Sequence, residues 1–195
     1  MTSSDDTALP AGAIGDVAQI VGHCYVGDAL GPARVAVVCA KFNGAVTARL
    51  LDGALSGLKD HGVPLEAVDV AWVPGAVELP LAASRLLWSG DYDAVIALGA
   101  VIRGDTAHFD FVAGECAAGL QRVALDTGVP VVFGVLTTDT IAQAQERAGP
   151  GESNKGYEAA VTALEMVSLL DLLPPLPVDP DSGDPADGEP GPGEL

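Results

Sequence analysis

Short apolar runs alternate with amphipathic stretches through the middle of the chain. The run at residues 34–40 is apolar and β-branched, which is typical of a strand buried on both faces. Further strands are predicted at residues 67–73, 94–102 and 131–137. Apolar residues at helical spacing predict helices over residues 43–61 (with Asn43 as cap), 78–88, 109–123, 140–148 and 157–172. This alternation predicts an α/β fold: a three-layer α/β/α sandwich around a central, mostly parallel four-stranded sheet.

The two ends of the chain differ from its middle in composition. Residues 174–195 are rich in proline, glycine and acidic residues, which predicts a disordered, solubilising tail. Residues 1–19 predict a disordered extension for the same reason, so the α/β domain is expected to span residues 20–173. The segment at residues 20–34 is ambiguous, and we expect one strand and a Gly/Pro turn there.

Charge and cysteine usage exclude several classes of function. The chain has nine Lys/Arg and 27 Asp/Glu residues, a formal net charge of −18 at pH 7. Such a surface repels phosphate backbones and anionic lipids, so we expect no binding to nucleic acid or membranes. Cys24, Cys39 and Cys116 contain no C-x-x-C pair and are expected to be small buried residues rather than disulfides or zinc ligands. Because no apolar run could span a bilayer and no secretory signal is evident, the expected location is cytoplasmic.

The loop at residues 103–108 is the most informative candidate for a functional site. In parallel sheets, ligands bind beyond the carboxyl ends of the strands, where helix N-termini point. Backbone N–H groups from Gly104 to Thr106 would offer an anion site, and the side chain of His108 suits proton transfer near neutral pH. The alternative is that Asp105 or Thr106 only caps the helix and that His108 is a surface residue. The sequence has no G-x-G-x-x-G, P-loop or G-x-S-x-G motif, so nucleotide binding and serine hydrolysis lose their usual support.

Other residues at the same edge have both a functional and an ordinary structural interpretation. Arg147, which flanks a Gly/Pro break together with Lys155, either grips a phosphate or counters the dipole of its own helix. Phe42 and Phe133 stand at strand ends, either as ligand platforms or as core residues. Glu78 is either a carboxylate at a helix start or a ligand acceptor. The three histidines lack metal-ligand spacing, so we expect no metal site.

Five blocks of the sequence resemble one protein family closely. They read KFN, AWVPGAVELP, ALGAVIRGDTAHFDFVAGE, PVVFGVLTTDTIAQAQERAG and NKGYEAAVTALEM, and they lie between about residues 34 and 168. In this order and spacing they resemble the 6,7-dimethyl-8-ribityllumazine synthase family, which catalyses the penultimate step of riboflavin biosynthesis. The resemblance implies a flavodoxin-like strand order and an N-terminal strand that pairs with a neighbouring subunit.

The resemblance implies a transferase that needs neither a metal nor an organic cofactor. Such an enzyme joins 5-amino-6-(D-ribitylamino)uracil to 3,4-dihydroxy-2-butanone 4-phosphate and releases phosphate and water. His108 matches the family's proton donor and acceptor. The residues that match those enclosing the pyrimidine and its ribityl chain are Phe42, Ala76, Val77, Glu78, Ala100, Val101, Ile102 and Phe133. Those that match the site of the butanone phosphate are Asp105, Thr106 and Arg147, with Lys155 and Glu158 bordering the site.

The resemblance also implies small-molecule substrates and a homo-oligomer. Family members form pentamers, and some pentamers pair into decamers or build shells of sixty subunits. Phe133, Arg147 and Lys155 would come from the neighbouring chain, and riboflavin synthase is a further expected partner. The short link at residues 149–153 resembles that of shell-forming members.

Two alternatives to an active enzyme remain. One follows from a departure from the family's sequence pattern, and the other follows from the fold class. Val77 replaces the Phe or Trp common at its position, which leaves open a shell or scaffold protein with impaired catalysis. A phosphorylated signalling receiver would need an acidic cluster at the strand ends. Phe42, Pro74 and Arg103 stand there instead, which disfavours the receiver.

Overall fold

In the computed structural model, which describes residues 22–174, strands and helices alternate as the sequence pattern predicts. The strands are β1 (Val35–Ala40), β2 (Val68–Val73), β3 (Ala94–Ile102) and β4 (Val131–Thr138). The helices are α1 (Gly44–Asp60), α2 (Leu79–Leu87), α3 (His108–Thr127), α4 (Ile141–Arg147) and α5 (Lys155–Leu172), with 3₁₀ turns at Leu65–Ala67 and Ala76–Glu78. The last helix begins two residues before its predicted start, because the side chain of Asn154 caps it by accepting the Gly156 N–H.

The four strands form one parallel sheet in the order β2-β1-β3-β4. Val35 of β1 pairs with Val68 of β2 on one side and with Ala94 of β3 on the other, so β1 and β3 are the central strands. This arrangement confirms the predicted α/β class and the flavodoxin-like order. The chain leaves β1 toward one edge and returns on the opposite side of β1. The carboxyl ends of β1 and β3 are therefore a topological switch point, where sheets of this kind bind ligands.

Helices cover both faces of the sheet through two apolar clusters. Successive residues of a strand point to opposite faces, and all six residues of β1 are buried. On one face Val37 belongs to a cluster with Leu50 of α1 and Leu164 of α5. On the other face Val38 belongs to a cluster with residues of α2 and with Leu120 of α3. Each fully buried leucine contributes about 1.5–3 kcal/mol of transfer free energy, so the two clusters fix the helices on the sheet.

The segment before β1 forms no strand within the chain, at least over the described residues 22–34. It runs along α5 instead. The Asp28 N–H donates to Ser168 Oγ at 3.2 Å, and a Cβ at Gly27 would collide with the carbonyl oxygen of Glu165. The expected pairing of this segment with a neighbouring subunit stays a prediction.

The ends of the domain are only partly covered by the structure. The extension predicted at residues 1–19 lies outside the described residues, and so does the tail predicted at residues 174–195, apart from Pro174. Among the described helices, none combines the length and apolar character that a membrane span needs.

Candidate active site

A cavity of about 570 Å³ opens at the carboxyl ends of β1 and β3, at the switch point of the sheet. Phe109 and Val112 of α3 contribute apolar side chains to its wall. Nine of the predicted site residues also line it: Phe42, Ala76, Val77, Glu78, Ala100, Val101, Ile102, Thr106 and His108. The fold therefore brings most of the predicted ring-binding segments together with the predicted proton-transfer residue.

Phe42 is held at this cavity by the chain just beyond β1. The Lys41 N–H donates to Val73 O at 2.8 Å, and the Phe42 N–H donates to Pro74 O at 3.1 Å, which continues the parallel ladder past the strand end. Phe42 is 72% exposed, so the alternative that it is a core residue is wrong. An aromatic ring presented in this way offers a flat face for stacking a planar heterocycle.

Asn43 does not cap α1 in the way that the sequence predicts. Its backbone is left-handed, with φ 56°, and its side chain makes no capping hydrogen bond. Instead, its Nδ2 donates to the carbonyl oxygen of Ala100 at 2.8 Å. Asparagine visits the left-handed region more readily than most residues. The bond therefore ties the loop that carries Phe42 to β3, and both of these segments line the cavity.

The turn at Ala76–Glu78 supplies another part of the cavity wall. Glu78 occupies the N-cap position of α2, but its side chain makes no hydrogen bond to the helix backbone. Its carboxylate lies over Gly75, where an added Cβ would come within 3.2 Å of Oε2. Val77 is 51% exposed. Both side chains therefore line the cavity while they remain accessible to a ligand.

His108 is the first residue of α3 and also lines the cavity. Ala107 occupies the N-cap position and no side chain caps the helix, so the alternative in which Asp105 serves as the cap is wrong. His108 is exposed, as the other part of that alternative expects. Thr106 makes only a long contact, with its Oγ1 accepting the His108 N–H at 3.4 Å. The N–H groups of the first turn have no partners within the helix, and the helix dipole adds partial positive charge. This end of the 20-residue helix therefore suits an anion beside a proton-transfer group.

Arg103 joins the loop before α3 to the loop after β4. Its Nε donates to Asp139 Oδ1 at 3.1 Å, its Nη2 donates to Asp110 Oδ1 at 3.1 Å, and its guanidinium carbon lies 4.0 Å from the centre of the Phe109 ring. The hydrogen bond to Asp110 is the main cause of a raised pKa at Arg103. The sequence pattern does not reveal that Arg103 connects the two loops, because Asp139 is 36 residues away from it.

A second cavity, of about 520 Å³, lies between β4 and α5. Phe133, Lys155 and Glu158 line it, and it shares no lining residue with the first cavity. Lys155 Nζ donates to both carboxylate oxygens of Glu158, at 2.6 Å each. Phe133 is 40% exposed, so it is not a core residue either. Twelve of the predicted site residues therefore line one or the other of two separate cavities, whose lining residues we call the first and the second surface.

Arg147 and Asp105 line neither of these cavities. Arg147 is the last residue of α4, and its Nη1 donates to the carbonyl oxygen of Gln143 at 3.1 Å. This contact is the one expected of a cation near the C-terminus of its own helix. Arg147 is exposed, so the rest of its guanidinium is accessible from solvent.

The cysteines lie apart from the site chemistry. Burial raises the pKa of Cys39 to about 12 and that of Cys116 to about 11, so their nucleophilic thiolates are scarce near neutral pH. Cys24 is exposed, so the expectation that it is buried is wrong. Within residues 22–174 no group of three His, Cys, Asp or Glu side chains is placed to hold a metal ion.

A comparison with protein families agrees with the sequence motifs. The family model for 6,7-dimethyl-8-ribityllumazine synthase matches residues 32–171. The match runs from just before β1 into the last turn of α5 and includes the residues that line both cavities. The chain belongs to the 6,7-dimethyl-8-ribityllumazine synthase family, a family of riboflavin biosynthesis.

Proposed function

We propose that this protein condenses 5-amino-6-(D-ribitylamino)uracil with 3,4-dihydroxy-2-butanone 4-phosphate to form 6,7-dimethyl-8-ribityllumazine. The observation that carries the proposal is the cavity at the switch point, where a stacking ring, a helix N-terminus and an imidazole meet. The ring can stack on a planar pyrimidine, and the helix N-terminus can bind a phosphate. The imidazole can carry out the proton transfers of the condensation.

The first substrate is the pyrimidine, which stacks on Phe42. The backbone from Ala100 to Ile102 and the turn at Ala76–Glu78 enclose its ring and ribityl chain. Both segments line the cavity beside Phe42, which supports this placement. The pose leaves the 5-amino group near His108, the imidazole of the same cavity.

The reaction consists of steps that move protons and release phosphate. The 5-amino nitrogen attacks the ketone carbon, and loss of water gives an imine. Phosphate then leaves by elimination, and the ribitylamino nitrogen closes the second ring with loss of another water. His108 accepts and returns the protons, while the loop at Asp105–Thr106 and the start of α3 stabilise the departing phosphate. Holding two reactants side by side supplies much of the remaining acceleration.

The second cavity completes the site from a neighbouring subunit. Phe133, Lys155 and Glu158 line a cavity that shares no residue with the one that His108 lines. This separation supports the proposal that one chain alone presents two incomplete halves of the site. In the proposed assembly, the second surface of one subunit packs onto the first surface of the next, with Phe133 against the pyrimidine. The exposed Arg147 of the same subunit, which lies outside both cavities, contacts the phosphate. The pentamer expected for the family, alone or within a larger shell, provides such repeated contacts. Riboflavin synthase, which consumes the product, is the proposed partner enzyme.

The test mixes the purified protein with both substrates and follows lumazine absorbance and fluorescence. His108→Ala should lower kcat on the order of 10²-fold and leave the affinity for a phosphate ligand nearly unchanged. Arg147→Ala should instead raise KM for the phosphorylated ketone about tenfold, through loss of a charge-assisted hydrogen bond. A wild-type rate no higher than the spontaneous reaction would favour a scaffold protein with impaired catalysis.

Matched controls come from residues that line neither cavity. His61, at the end of α1, bonds the carbonyl oxygen of Gly57 at 2.7 Å, and Arg122 on α3 pairs with Asp126 at 3.3 Å. His61→Ala and Arg122→Ala should keep wild-type kinetics. Equal losses in these controls and in the site variants would refute the assigned roles.

A further inference from the structure

The link between α4 and α5 is held by one buried side chain. Asn154 is 3% exposed. Its Nδ2 donates to Arg49 O at 3.0 Å and to Gly149 O at 2.7 Å, and its Oδ1 accepts the Gly156 N–H at 2.8 Å. These bonds use both amide hydrogens and the amide oxygen. Breaking one would leave a buried polar group without a partner, so the amide acts as a rigid tie.

Two glycines make room for this amide. On α1, a Cβ at Gly53 would overlap the side chain of Asn154. At the start of α5, a Cβ at Gly156 would overlap the carbonyl oxygen of Leu50. The two helices therefore approach closely at positions that have no side chain, and the Asn154 amide occupies the space beside Gly53.

The segments that Asn154 connects carry residues of the proposed site. Gly149 follows Arg147 by two residues, and Lys155 follows Asn154 directly. We infer that Asn154 is a positioning residue: it fixes the end of α4, and with it the Arg147 guanidinium, relative to Lys155 and Glu158 on α5. The inference rests on the proposed function, because Arg147, Lys155 and Glu158 act on the same substrates only if that function is correct.

Substitution can separate two roles of this side chain. The Asn154 oxygen caps α5, and a serine hydroxyl can also accept the Gly156 N–H. The bonds to Arg49 and Gly149 need the length of the amide and its two hydrogens, which serine lacks. Asn154→Ser should therefore keep α5 capped and release the end of α4.

The first experiment measures steady-state kinetics of Asn154→Ser with each substrate varied in turn. KM for the phosphorylated ketone should rise about tenfold, because a displaced guanidinium loses most of a charge-assisted hydrogen bond. KM for the pyrimidine should change less than about twofold, because Phe42 and Lys155 keep their supports. Ser89→Ala is the control. It removes two hydrogen bonds at the end of α2, outside both cavities, and should leave both KM values unchanged.

A second variant disturbs the tie without changing Asn154 itself. Gly53→Ala places a methyl group against the Asn154 amide and should raise the same KM. Gly114→Ala adds the same methyl group on α3, where a Cβ meets no atom within 4 Å, and should have no effect. Gel filtration of each variant beside the wild type checks that the kinetics come from the same assembly.

The outcomes distinguish the inference from the proposed function. A wild-type KM for the phosphorylated ketone in both Asn154→Ser and Gly53→Ala would overturn the inference. So would an equal rise of both KM values, which would indicate a general loosening of the protein. A wild-type protein that forms no lumazine would refute the proposed function itself, and the inference with it.

Discussion

At a low concentration of the phosphorylated ketone, two weakened variants of this protein should restore each other's activity when they assemble together. The cavity that contains His108 shares no lining residue with the cavity that contains Phe133 and Lys155, and Arg147 lines neither. If a complete site joins the first surface of one subunit to the second surface of its neighbour, each subunit contributes to two sites. A chain with His108→Ala still supplies an intact Arg147 to its neighbour, and a chain with Arg147→Ala supplies an intact His108.

The expected recovery follows from counting the contacts between subunits. In a closed ring with equal numbers of both chains, each contact has an intact His108 with a chance of about one half, and an intact Arg147 with the same chance. About a quarter of the sites are then complete, whatever the size of the ring. If both residues served one site from the same chain, no site would be complete.

The assay uses coexpressed chains with two different affinity tags and tandem purification. Lumazine fluorescence per subunit is then followed at a phosphorylated-ketone concentration well below the wild-type KM, where Arg147→Ala lowers the rate. A second mixture combines wild-type chains with chains that carry both substitutions. A shared site predicts about a quarter of wild-type activity in this mixture, whereas a site within one chain predicts about one half. Activity in the first mixture no higher than the mean of the two single variants, in particles that carry both tags, would refute the shared site.

Three further predictions concern stability and reactivity. Thr47 is fully buried, and its Oγ1 has no hydrogen-bond partner among the described residues. Thr47→Val should therefore raise the free energy of unfolding, measured in urea, by about 1 kcal/mol. An unchanged free energy of unfolding would contradict this prediction. Arg103→Lys should lower the free energy of unfolding by less than about 1 kcal/mol, because the ion pairs of Arg103 are exposed. A larger loss of stability would contradict this prediction. Since burial raises the pKa of Cys39 to about 12 and that of Cys116 to about 11, a Cys24→Ser protein should react with a disulfide reagent near about pH 8 only after unfolding.

The strands and helices could be predicted because the buried face of each element leaves a periodic pattern of apolar residues in the sequence. All six residues of β1 are buried, so the run at residues 34–40 has the composition of a strand covered on both faces. The strand order could not be derived in this way, since short crossovers permit several orders; the family resemblance implied it. The exposure of Cys24 could not be predicted either. A small apolar residue in an irregular segment has no periodic neighbours that reveal its exposure.

The tethers of the site residues could not be predicted from the sequence. Asn43 has the position of a helix cap, yet its side chain bonds Ala100, 57 residues away. Asn154 does cap its helix, but its other two bonds include one to Arg49, 105 residues away. An asparagine amide can bond backbone groups of its own turn, and the same donors and acceptor serve for distant ones. Which of these groups is within reach depends on segments that only the folded chain brings together.

The proposed division of the site between two subunits links assembly to the proposed chemistry. Departure of phosphate is favoured when fixed donors and a cation both contact it. In a single chain, the donors lie at the start of α3 beside Thr106, while the proposed cation, Arg147, lines neither cavity. Packing a neighbour onto the first cavity would add this cation and exclude water in the same step, which strengthens each electrostatic contact there. A chain that folds without assembling would keep Phe42, His108 and the donors at the start of α3, but it would lack the cation that the proposal places against the leaving phosphate.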